Sequence, residues 1–168
     1  RFCVGNFFLP NDDDGAARAA RLITSTMTDR GFTVLTEREV PVDDSVLPAA
    51  GPAAQLPIRQ WVFAAPEPCP APAALDQVVQ EALLHIEAIA YADPALAGLY
   101  PLSLSARTQV LKGRLSSHEV IGYFTDLHDP VHAVHTLYFH TRFSTNTDPH
   151  PTMAQPFRYL AHNGELNT

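Results

Sequence analysis

Apolar positions along the chain switch between two periods. Phe2-Cys3-Val4-Gly5-Asn6-Phe7-Phe8-Leu9 is almost continuously apolar and predicts a buried strand over 2–9. Asn11-Asp12-Asp13-Asp14-Gly15 predicts a turn whose acidic residues lie at the start of a helix over about 16–30, where negative charge is favourable. Ala17, Ala20, Leu22, Ile23 and Met27 make its apolar stripe, and Gly31 is a suitable terminator. Phe32–Thr36 predicts a second strand. Ile58–Ala64 alternates Ile58, Gln60 and Val62 against Arg59, Trp61 and Phe63, which predicts a third.

The clearest helix covers 73–91, where Leu75, Val78, Val79, Ala82, Leu83, Ile86 and Ile89 recur at helical spacing. Short strands are expected at Leu102–Ser105 and Thr108–Lys112. A short helix is expected from the capping-box pair Ser116 and Glu119 to about Leu127. Further strands are expected over His132–His140 and Phe157–Leu160. The stretch 41–57, rich in Pro, Ala and Asp, and the proline-rich Pro66–Pro72 read as loops. Runs of strands segregated between helices predict an α+β layered domain spanning 1–168, with no repeat and no linker.

Composition narrows the functional classes. Hydrophobic residues make up 46% of the 168 positions and charged residues 17%, the balance of a folded globular chain. A formal charge of -7, with Lys112 as the single lysine and no basic stripe, argues against a nucleic-acid partner. No apolar run approaches the roughly 20 residues of a bilayer span. Cys3 and Cys69 are too few for a disulfide framework. With no signal-peptide pattern over Arg1–Pro10, the cytoplasm is the expected compartment. Arg1 leads straight into a strand and Asn167-Thr168 ends without a closing element, so both ends read as cut.

The common cofactor signatures are absent: no GxGxxG, no phosphate loop, no G-x-S-x-G and no CxxC. His128, His132, His135 and His140 would suit zinc on a continuous helix, but Pro130 interrupts the stretch, and on a strand His132 and His135 point to opposite faces. Scattered surface and core histidines are the expectation. Towards the end of the chain, Arg142 is followed by Phe143-Ser144-Thr145-Asn146-Thr147, directly after an expected strand, which outlines an anion pocket; Arg can grip a carboxylate with two parallel hydrogen bonds. Asn163-Gly164 can make a tight turn. It can equally present a side-chain amide beside a backbone N–H, the donors of an oxyanion hole. Taken singly, each of these is more ordinary as a hairpin turn or a surface charge.

Together these strings resemble class II glutamine amidotransferases, and specifically the glutaminase domain of glutamate synthase. The resemblance is carried by Arg142–Thr147, by Ala154-Gln155-Pro156-Phe157-Arg158, and by His162-Asn163-Gly164-Glu165-Leu166-Asn167-Thr168. Upstream it extends through Val4-Gly5, Phe8-Leu9-Pro10, Arg38–Val42, Pro57–Gln60, Leu102–Thr108 and Lys112-Gly113, in the family's order. It implies a four-layer α/β/β/α N-terminal-nucleophile sandwich, of which residues 1–168 would be a part lacking the nucleophile segment and the C-terminal portion. It implies that Arg142 binds the α-carboxylate of glutamine, that Asn163 and the Gly164 N–H form the oxyanion hole, and that Glu165 lies near the substrate's α-amino group. It further implies ammonia transfer to a synthase domain carrying FMN and an iron–sulfur cluster, where 2-oxoglutarate is converted to glutamate, with a small reductase subunit as a possible partner.

The chain departs from the family pattern in three ways. The nucleophilic cysteine is missing, since Cys3 falls inside a strand where the family has an ordinary residue and is expected to be a small buried hydrophobe. The family's carboxylate downstream of the Asn-Gly turn is missing too. Asp148-Pro149-His150-Pro151 replaces an aromatic Phe-Pro-Ser-Trp segment. The segment alone is therefore expected to be inactive and to leave sheet edges and apolar faces open. Two other readings stand beside this one: a non-catalytic glutamine- or glutamate-binding or scaffold remnant, and an amidotransferase feeding a different synthetase.

Overall fold

The structure, a computed structural model, describes residues 1–140 and 150–153. The chain divides into two compact units, Arg1–Glu39 with Pro57–Leu111, and Val40–Leu56 with Lys112–Thr168.

The first unit holds strands β1 (Phe2–Phe8), β2 (Thr33–Glu39), β3 (Arg59–Ala64) and β4 (Tyr100–Ser105), and helices α1 (Asp13–Thr28) and α2 (Pro72–Ala92). The strands form one sheet in the order β2-β3-β1-β4, with every neighbouring pair antiparallel. This is a mixed α+β architecture of the kind expected for part of an N-terminal-nucleophile sandwich.

The helices follow from local chemistry. Asp12 caps α1, its carboxylate accepting the Gly15 N–H at 2.7 Å. The helix ends where Gly31 turns to φ +83°, a conformation costly for any residue with a Cβ. There the Phe32 N–H reaches back to the Met27 carbonyl at 3.1 Å. Helix α2 opens on Pro72, whose missing N–H costs nothing in the first turn. It stops at Asp93, immediately before Pro94.

The two faces of the sheet differ. Cys3 and Phe7 of β1, Trp61 and Phe63 of β3 and Leu104 of β4 pack with Ile23 and Met27 of α1 and Leu75, Val79, Leu83 and Ile86 of α2. Fully burying each such side chain contributes about 1.5–3 kcal/mol relative to leaving it exposed. Phe7 meets Trp61 edge to face, with centroids 5.6 Å apart. The opposite face is not apolar throughout; it carries Asn6, Gln60 and Ser103, all buried. Edge strand β2 is exposed along its whole length and bulges between Val34 and Thr36, an irregularity that blunts a free edge.

In the second unit Val42 and Phe124 make an isolated antiparallel bridge. It is flanked by Asp43 N–H to the Tyr123 carbonyl at 2.8 Å and Thr125 N–H to the Pro41 carbonyl at 3.2 Å. Gln55 pairs with the Arg114 backbone in both directions, each bond 2.9 Å. Helix α3 covers only Glu119–Tyr123, followed by a tight turn over Thr125–His128, so the helix expected to run to Leu127 is cut short. Half of the expected capping box is present, with the Glu119 carboxylate accepting the Ser116 N–H at 2.6 Å.

Two expected strands do not form. Residues 108–112 form no strand among the described residues; Val110 bonds to the Asn6 and Ser103 side chains. Residues 132–140 form no strand either, and Val131, Leu137, Tyr138 and Phe139 are exposed. β-Branched and aromatic composition favours a strand only where a neighbour supplies hydrogen bonds and cover. Among the described residues none does so here. The strand expected over 157–160 lies outside the described residues.

Candidate functional site

The most organised polar feature of the first unit is a row of side chains across the sheet face opposite the helices. Strand registry places Arg38 beside Gln60, Gln60 beside Asn6, and Asn6 beside Ser103, one residue from each strand. The Arg38 Nε–H donates to Gln60 Oε1 at 2.8 Å, and Gln60 Nε2 donates to Asn6 Oδ1 at 2.9 Å. Asn6 Nδ2 donates to the Val110 carbonyl at 3.0 Å, and the Val110 N–H donates to Ser103 Oγ at 3.1 Å.

Asn6 is 0% exposed, Ser103 1% and Gln60 4%, while Arg38 lies on the exposed edge strand. Buried amides without partners would be costly, and here they are joined end to end. The row can grip a peptide group, as it grips Val110. None of its members is a carboxylate, thiol or imidazole, so it holds and orients and does not move protons.

The turn leading to Val110 is fixed separately. Ser105 Oγ accepts the N–H groups of Arg107 and Thr108 at 3.0 and 3.2 Å. Arg107 pairs with Asp76 of α2 at 2.7 Å. Ser105, Arg107 and Thr108 lie within the Leu102–Thr108 string. Sequence reading passed over the row itself. The available signal was an uncharged polar residue within each apolar run: Asn6 in 2–9, Gln60 beside Trp61, and Ser103 between Leu102 and Leu104.

The second unit has an open cleft of about 340 Å³ lined by Leu47, Pro48, Gly51, Arg114, Leu115, Ser116 and Glu119. Its carboxylate is already occupied in holding the Ser116 N–H. On the exposed turn at 43–45, the Ser45 hydroxyl and N–H lower the pKa of the Asp43 carboxyl. That is an ordinary side-chain turn.

Cys3 is 1% exposed and packs in the helix-side core. Burial pushes its thiol up from 9.0 to about 12, so it carries almost no thiolate near neutrality. It is the small buried hydrophobe expected from the sequence. Cys69 lies half-buried against the Pro70 carbonyl, and neither cysteine is paired. His128 ends the Thr125–His128 turn, while His132, His135 and His140 lie on the irregular stretch that follows. Among the described residues no three of His, Cys, Asp and Glu are gathered as a metal site requires, and no helix is long and apolar enough to cross a membrane.

Arg142, Asn163, Gly164 and Glu165 lie outside the described residues. The described part therefore supplies the sheet, its helix layer and the polar row, while the candidate substrate and oxyanion groups are known by sequence alone.

The chain belongs to the class-II glutamine amidotransferases, whose family model matches residues 1–168. It is 37% identical over 98% of its length to ferredoxin-dependent glutamate synthase 2, chloroplastic, of Arabidopsis thaliana. It is 35% identical over 100% of its length to ferredoxin-dependent glutamate synthase 2 of Synechocystis, and 33% identical over 99% to the NADH glutamate synthase of Schizosaccharomyces pombe. The chain spans only 10%, 10% and 8% of those three proteins. These matches favour the amidotransferase reading over a non-catalytic glutamine- or glutamate-binding or scaffold remnant of such a domain.

Proposed function

We propose that the chain is part of the glutaminase domain of a glutamate synthase. The observation that carries this reading is the full-length match to the family together with three consecutive strings, Arg142–Thr147, Ala154–Arg158 and His162–Thr168, in one order. On this reading Arg142 binds the α-carboxylate of glutamine through a bidentate pair, and Glu165 lies near the α-amino group. A cysteine thiolate from outside these residues adds to the side-chain amide carbon. The oxygen that becomes negative is met by the Asn163 amide and the Gly164 N–H. The C–N bond then breaks, ammonia leaves, and water cleaves the thioester to release glutamate.

Neither cysteine of the chain serves as that nucleophile: Cys3 is sealed in the core with its thiol protonated, and Cys69 sits in a proline-rich loop. The iron–sulfur cluster of the synthase reaction is placed elsewhere in such a protein, because a cluster is held by several cysteines gathered at one site and the chain has only Cys3, in the core, and Cys69, in a loop. FMN and the cluster would serve the domain in which ammonia meets 2-oxoglutarate. The electron donor would be ferredoxin, or a reduced pyridine nucleotide delivered through a reductase subunit. Two unpaired cysteines suit a reducing compartment such as the cytoplasm.

The test is glutamine-dependent release of glutamate and ammonia by the full-length protein that contains this segment, beside its Arg142→Ala variant and the isolated 168-residue chain. Turnover is expected from the full-length protein, from its Arg142→Ala variant only with a raised KM, and not from the isolated chain. Steady ammonia release from the isolated chain would overturn the assignment of the nucleophile. Tight glutamine binding without turnover by the full-length protein would favour the binding remnant.

A further inference from the structure

We infer that Arg38, Gln60 and Asn6 act as a directional relay, in which the arginine at the exposed sheet edge dictates how the peptide at Val110 is held three strands away. Arginine has only donors. Its Nε–H therefore meets the oxygen end of the Gln60 amide, at 2.8 Å. That choice turns the NH₂ end of Gln60 towards Asn6, which must present its oxygen, at 2.9 Å. Asn6 is thereby left with its own NH₂ facing the Val110 carbonyl, at 3.0 Å. Every donor points the same way, and the last link, from the Val110 N–H to Ser103 Oγ, continues the sense.

Were Gln60 reversed, Asn6 would reverse with it and place an oxygen against the Val110 carbonyl, two acceptors with no proton between them. The amide pair is buried, so water cannot repair the mismatch. Arg38 and Gln60 are thus positioning residues for the segment Thr108–Leu111, which runs directly into Lys112-Gly113. The relay rests on registry, distances and burial within the first unit and does not depend on the glutaminase reading.

The relay separates isosteric variants that a merely structural role would rank differently. Gln60→Glu keeps the shape and still accepts from Arg38, but it accepts at its other oxygen too, which reverses Asn6. Gln60→Met removes both links and leaves Asn6 free to keep donating to Val110. Backbone amide hydrogen exchange at Val110, resolved by mass spectrometry on the full-length protein, reads the difference. Exchange at Leu83 and Ile86 of α2 serves as the global reference.

Gln60→Glu is expected to speed Val110 exchange by about tenfold or more relative to that reference, and by more than Gln60→Met does. Because buried Gln60 variants can fail to fold, the same order is tested at exposed Arg38. There Arg38→Lys, still a donor only, should behave as the parent, Arg38→Met should be intermediate, and Arg38→Glu should release Val110 most. Equal effects of Arg38→Met and Arg38→Glu, or a larger effect of Gln60→Met than of Gln60→Glu, would overturn the relay.

Discussion

Gly5 leaves the space that the ring of Phe7 occupies: a Cβ built on Gly5 would stand 2.5 Å from Phe7 Cε2 and 3.0 Å from Leu104 Cδ1. Phe7 can then reach Trp61, the partner of Gly5 across β1 and β3, edge to face. Gly5→Ala should force these rings apart and destabilise the fold by about 1–3 kcal/mol, although alanine is otherwise the better strand residue. A urea midpoint matching that of the parent protein would show that the ring pair adjusts without cost.

Helix α1 tests a different scale. Asp12 is exposed but accepts the N–H of Gly15, which is buried, so its removal leaves one helix-terminal donor without its cap. Asp12→Ala should cost about 1 kcal/mol and Asp12→Ser much less, since serine also caps. The comparison is made by chemical denaturation; an equal loss for both would place the effect in charge near the helix terminus and not in the hydrogen bond.

Cys3 predicts a pH dependence. Its folded thiol is pushed up to about 12 from an ordinary 9.0, so above pH 9 the unfolded chain gives up the proton first. Stability from this group is fully present below pH 9 and is lost as pH rises from 9 towards 12. Other groups titrate in that range, so the readout is the difference between parent and Cys3→Ala across it. The parent should lose stability more steeply than the variant. A thiol reagent at pH 8 should label Cys69 and spare Cys3 in the native protein; rapid labelling of Cys3 would contradict its burial.

The sequence pattern identified both long helices and all four strands of the sheet; β1, β3, β4 and the two helices each bury one face or one stripe against a single core, whereas exposed β2 was marked by its β-branched run after Gly31. It overestimated strand at 132–140, where apolar residues such as Val134 and Phe139 lie exposed without a ladder partner among the described residues. It misread 108–112 for a subtler reason: Val110 does have both backbone groups satisfied, as in a strand, but by Ser103 and Asn6 side chains. The polar row stayed hidden because it exists only in the registry between strands, which periodicity along one strand does not specify. The candidate chemistry at Arg142 and Asn163 was visible only as spaced strings, without geometry.

Those strings yield the prediction closest to function. On the proposed reading, Asn163 donates to an oxygen that becomes negative only during the reaction, whereas Arg142 binds a carboxylate that stays charged throughout. In the full-length protein, Asn163→Ala should therefore lower kcat for glutamine hydrolysis by about 100- to 1,000-fold while leaving KM near its parent value. Arg142→Ala should act chiefly on KM, and Arg142→Lys should restore little because one ammonium cannot replace a planar pair of donors. Steady-state kinetics of glutamate release separates the two. If both variants raised KM alone, Asn163 would be a substrate-binding residue and the oxyanion role would fall to other donors.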